Sequence, residues 1–174
     1  MAKRKNTWIK YLVALAVVIV LLLVSMLKNR QYRQESSPVL DLKKEDITAL
    51  SIFSSKDTVQ IRQLNDTTWT AIEPDTGDID ENKVDRLLTG LIEAKQTGIA
   101  TEKPDNYSVY NVDESSTLVE LSKGETLLAS FYLGRSTSSY SQGYLRFKDE
   151  NKVYRINKNL SYMANSSPTY WQKK

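Results

Sequence analysis

DENKVDRLLTGLIEAK, residues 80–95, is the stretch on which the reading of the fold turns. Val84, Leu87, Leu88, Leu91 and Ile92 recur at the spacing of one helical face. Asp78 or Asp80 is placed to cap the start, early acids suit the positive end of the helix dipole, and Lys95 suits the other end. Gly98 is the expected stop. Gly90 inside the helix costs up to about 1 kcal/mol against alanine, which points to a close approach of the helix to a sheet. One apolar stripe on an otherwise polar helix reads as core, not as a face for a partner helix.

On both sides of this helix the period changes from helical to extended. Upstream, residues 47–53, 59–64 and 69–73 are short β-forming runs separated by Ser55-Lys56-Asp57 and Asn65-Asp66-Thr67, both turn-like. They predict a three-stranded meander. Downstream, residues 117–121 and 127–133 flank Ser122-Lys123-Gly124-Glu125, a hairpin turn. Leu127, Ala129, Phe131 and Leu133 alternate onto one face. A second hairpin is expected over 144–148 and 153–156, and a short helix over 160–165, with Pro168, Tyr170 and Trp171 closing the chain. Two irregular stretches remain, 99–116 and 134–143. Long loops of this kind often carry function. DENKV occurs twice, at 80–84 and at 149–153. The first copy is expected to open the helix and the second to turn a hairpin, because the flanks differ.

Residues 11–27, YLVALAVVIVLLLVSML, contain no charge. At 1.5 Å per residue they make about 26 Å of helix, and Trp8 and Ile9 bring that near the roughly 30 Å of a bilayer core. The expectation is one transmembrane helix. Lys3, Arg4, Lys5 and Lys10 precede it with no acid among them, which predicts a cytoplasmic N-terminus. Lys28, Arg30 and Arg33 on the far side temper that asymmetry. Trp8 and Tyr11 suit the headgroup boundary. A cleaved signal peptide is the competitor, but the apolar run exceeds the usual length and the following SMLKNRQYRQ lacks a small-x-small cleavage site. The predicted organisation is a flank and anchor at 1–27, a polar linker at 28–44, and an extracytoplasmic domain at 45–174.

The chain carries a net charge of +3, but the two parts differ: residues 1–44 hold +7 and residues 45–174 hold −4. The basicity therefore belongs to the membrane flanks, where anionic lipid explains it, and nucleic acid is not an expected partner. The sequence has no histidine and no cysteine. That removes His-dependent and thiol catalysis, the usual zinc sites and disulfides. No phosphate-binding glycine loop appears, so no cofactor is expected. Asp75, Asp78, Asp80 and Asn82 crowd oxygen ligands, yet the spacing lacks the glycine and the terminal glutamate of a calcium loop; no metal site is expected. No catalytic residue is assigned. Tyr107, in the first irregular stretch, and Arg135 and Tyr140, in the second, have amide and hydroxyl neighbours that suit protein or glycan contact. Tyr110 reads instead as packing its loop onto the sheet.

The order of features also resembles a known family. Trp69-Thr70-Ala71-Ile72-Glu73-Pro74 leads into the helix, Tyr110-Asn111-Val112-Asp113 follows, and then come FYLG at 131–134, GYLRF at 143–147 and KVYRI at 152–156. Over about residues 46–172 this is similar to the bacterial domain of unknown function four-three-four-zero. The family's loop usually reads Tyr-Gly-Leu-Asp; here Asn111 stands where glycine would, and asparagine tolerates a left-handed backbone. The resemblance implies a membrane-anchored domain, in some cases associated with gliding-type ABC transporters, and carries over no functional residues. The expectation is thus an α+β protein: one N-terminal transmembrane helix, then antiparallel sheet packed on an amphipathic helix. Its expected function is a non-enzymatic binding or accessory module with a protein partner in a cell-envelope complex. The alternative is an envelope-facing glycan binder or carboxylate-dependent enzyme.

Overall fold

Asp80 opens the central helix, accepting a hydrogen bond from the Asn82 amide at 3.1 Å. The computed structural model describes residues 7–32, 37–65, 68–74, 77–137 and 139–173. Contacts divide the chain into residues 1–35 and residues 36–174. In the first unit, α1 (Thr7–Tyr32) is a 26-residue helix. Its described side chains are Trp8 and residues 11–25, and all are exposed. Among the described residues no helix is long and apolar enough to cross a membrane. The basic flank at 1–6, Arg33, and the side chains of Met26, Leu27, Lys28 and Arg30 lie outside the described residues.

The second unit is α+β. Its meander is β1 (Ala49–Phe53), β2 (Thr58–Gln63) and β3 (Trp69–Glu73). The central helix is α2 (Glu81–Ile92), followed by β4 (Gln96–Thr101), β5 (Thr117–Lys123), β6 (Thr126–Arg135), β7 (Gly143–Phe147), β8 (Val153–Ile156) and α3 (Pro168–Trp171). All pairings are antiparallel, in one eight-stranded sheet of order β3-β2-β1-β5-β6-β7-β8-β4. β1 pairs with β5, which splices the meander onto the two downstream hairpins.

The α2 stripe is buried as expected: Val84, Leu87, Leu88 and Leu91 lie against Leu50, Ile52, Ile61, Phe131 and Leu145 of the sheet. At about 25 cal/mol per Å2, each such side chain contributes roughly 1.5–3 kcal/mol. Trp171 is fully buried in the same core, and its indole donates to the Asn165 carbonyl at 2.6 Å.

Several expectations need correction. The helix ends at Ile92, before Lys95 and Gly98, because the backbone after it is claimed by other segments. Val39 donates to the Ala94 carbonyl, and Lys95 exchanges bonds with Asn157. Val39 and Leu40, read as spacer, are therefore core residues. Gly90 faces Leu160 and Met163, not the sheet; a methyl there would lie 2.9 Å from Leu160 Cδ2. The irregular stretch expected from residue 99 begins only after Thr101, because residues 96–101 are an edge strand: QTGIAT is too polar to announce itself, and its partner β8 is distant in sequence. Residues 160–165 make a turn where a helix was expected. Asn159, Ser161 and Asn165 side chains compete locally with the helical pattern, and Pro168 starts α3 instead. Leu127 is 55% exposed because a register shift opposite Leu121 and Ser122 breaks the alternation.

Candidate functional site

Phe131 and Leu133 face α2, whereas Tyr132 and Gly134 face the other side of β6, as strand alternation requires. On that second face the 102–116 segment lies over β5 to β8 as short turns. Asn111 adopts the left-handed conformation at φ 55°, the backbone that the resemblance implies for the glycine it replaces. Val112 is buried there, and Tyr110 packs edge-on against Tyr144 with ring centroids 4.7 Å apart.

Arg146 holds this layer together. It is a buried cation, and its guanidinium lies between the rings of Tyr107 and Tyr132 at 4.3 and 4.5 Å. Its Nε donates to the Val112 carbonyl at 2.8 Å. Ring faces and carbonyl oxygens offset the desolvation of the charge. Tyr107, a candidate binding residue, thus belongs to a packed stack, with its hydroxyl donating to Asn151 O at 3.0 Å.

Two glycines let covering segments close in from opposite faces. A Cβ on Gly134 would lie 1.9 Å from the Tyr110 carbonyl oxygen. A Cβ on Gly143 would lie 2.9 Å from the Lys158 carbonyl oxygen. Between these segments, at the sheet end where β1 and β6 finish and β5 begins, lies a cleft of about 880 Å3. Its lining is dominated by hydroxyls and amides, among them Ser54, Thr137, Ser139 and Asn159. Ser54 shapes one wall: its Oγ accepts from the Lys56 and Asp57 amides at 3.2 Å and lies 2.8 Å from Ser166 Oγ. Asp113 is the lining carboxylate. The Ser115 hydroxyl at 2.7 Å and the Ser116 hydroxyl at 2.8 Å hold its carboxyl below the usual range.

Arg135 and Tyr140 both line this cleft, but Tyr107 does not. Arg135 lies in β6 and not in a loop, since the strand runs through Gly134. Tyr162 and Lys56 also line the cleft and were missed. The Ser-Asn composition around Tyr162 was the available signal, obscured by reading that segment as helix. A second cleft of about 490 Å3 borders α2 at Asp85, Arg86 and Glu93, and shares Tyr140, Asn159 and Tyr162 with the first. Among the described residues no cluster of acids suits a metal ion.

Residues 69–174 match the family described as Domain of unknown function (DUF4340), which is more than half of the chain. The chain belongs to this family. The DUF4340 match begins at β3, so β1 and β2 lie outside it although they share the sheet, and it starts later than the residue 46 from which the sequence resembles the family. The DUF4340 stretch contains both glycines, Arg146 and its two tyrosines, and Tyr140 and Tyr162. No curated protein and no solved structure matches the chain.

Proposed function

We propose that this DUF4340 protein is a single-pass membrane protein whose folded domain is a non-enzymatic binding or accessory module of a cell-envelope complex. The carrying observation is the open cleft at the end of the sheet, with Arg135 and exposed Tyr140 on its rim. Aromatic and hydroxyl groups on the connections, beside a guanidinium at the end of a strand, supply contact area and adaptable hydrogen bonds. Catalysis is not the favoured reading, because the sequence has no histidine or cysteine and the cleft carboxylate already accepts two hydroxyl bonds.

The membrane reading is supported by residues 11–27, whose uncharged run would need an apolar surrounding on every face. The basic flank supports an N-terminus in the cytoplasm and a domain outside it. Association with a transporter complex follows from the family resemblance alone. The test is a photo-crosslinking residue at position 140, and separately at Val109, which is 67% exposed on the segment covering the other face. In native membranes, position 140 is expected to yield a partner adduct and position 109 none. Adducts at 109 with none at 140 would place the binding surface elsewhere.

A further inference from the structure

The two clefts adjoin at shared lining residues and together make one candidate groove. Tyr140, Asn159 and Tyr162 line both, and the rings are 101% and 67% exposed. Large apolar rings held out between polar grooves fit a ligand that is itself flat-faced and hydroxyl-rich and is longer than one cleft. A carbohydrate strand has those properties: its pyranose faces stack on rings, and its edge hydroxyls pair with hydroxyls and amides such as those of Ser54, Ser139 and Asn159.

Charge narrows the class. Bordering the smaller cleft, Asp85 is paired with Lys44, and Glu93 with Lys158 at 2.6 Å. Asp113 in the larger cleft stays a charged carboxylate, hydrogen-bonded by the two neutral serine hydroxyls. Lys56 and Arg135 make no ion pair among the described residues. Lys56 and Arg135 against the one unpaired carboxylate of Asp113 leave the larger cleft a net charge of +1, and one guanidinium fork matches one carboxylate.

We infer that the groove binds an acidic glycan strand, with sugar rings on Tyr140 and Tyr162 and a sugar carboxylate on Arg135. This rests on the reading of the domain as a binding module. The test is calorimetric titration of the full-length protein in detergent micelles with a galacturonate hexasaccharide, and with a neutral N-acetylglucosamine hexasaccharide as counter-probe. Galacturonate is expected to bind, and Arg135→Gln and Tyr140→Ala are each expected to weaken it by about 10- to 100-fold, with Val109→Ala unchanged. The affected side chains are exposed, so thermal midpoints should match the parent, which separates lost contact from lost fold. No galacturonate binding, equal binding of the neutral probe, or indifference to both substitutions overturns the inference. If galacturonate fails while position 140 still crosslinks to a protein in membranes, the glycan assignment alone falls; if both fail, the binding-module reading falls with it.

Discussion

Gly134→Ala is the sharpest probe of how the candidate site is framed. The added methyl would lie 1.9 Å from the Tyr110 carbonyl oxygen and 2.9 Å from Val112 Cγ1, where ordinary contact begins at 3.4 Å. The 107–113 segment would have to lift by about 1.5 Å. Val112 O, which accepts the Arg146 Nε bond at 2.8 Å, rides on that segment, so the bond breaks. Losing a hydrogen bond from a charged donor costs about 1.5–3 kcal/mol, and part-exposing Val112 adds about 1–2 kcal/mol. The expected destabilisation is roughly 2.5–5 kcal/mol. It would be measured by urea unfolding of the full-length protein in micelles, followed by tryptophan fluorescence, since Trp171 is fully buried. Because the loss runs through Arg146, Gly134→Ala and Arg146→Met should be strongly non-additive. A Gly134→Ala protein within about 0.5 kcal/mol of the parent, or simple additivity with Arg146→Met, would refute the close approach and the role given to the arginine.

Leu88→Ala and Phe131→Ala each empty a fully packed position between α2 and the sheet, and should each cost about 2–5 kcal/mol in the same unfolding assay. The Asp113 carboxyl is held low by Ser115 and Ser116, so its contribution is present above the unfolded value of about 3.9 and is lost as pH falls through the lower folded value. The thermal midpoints of the parent and of Asp113→Asn should differ at pH 6 and converge below that window; a constant gap would deny the hydroxyl bonds a role. Burial, with the hydroxyl donating to Glu150 at 2.7 Å, pushes Tyr154 up to about 12. Ultraviolet titration should therefore show a late-ionising component that is lost in Tyr154→Phe. Finally, the full-length protein should stay in the membrane fraction after high-salt washing, and a soluble form starting near residue 30 would sink the anchor.

The second DENKV copy shows how far sequence reading reached. Val84 and Val153 are both fully buried, yet one sits on a helix and the other on a strand. The flanks announce which: Leu87, Leu88 and Leu91 continue a helical stripe, whereas Tyr154 and Ile156 keep an alternating one. Periodicity of this kind is local, so it was legible for α2, the meander and both hairpins, whereas the left-handed turn at Asn111 was legible only through the family resemblance. It was silent on β4, whose polar QTGIAT is a strand only because β8 offers it a free edge. It also misjudged Val39 and Leu40, which are core only because Val39 bonds to the end of α2. The candidate site follows the same division. Composition pointed to Arg135 and Tyr140, because exposed hydroxyl-rich surroundings are visible in the chain. That Tyr107 is spent on Arg146, while Tyr162 joins Tyr140 across a groove, depends on segments far apart in sequence meeting over Gly134 and Gly143. Local preference sets which elements form; long-range packing and backbone pairing set which side chains they leave available.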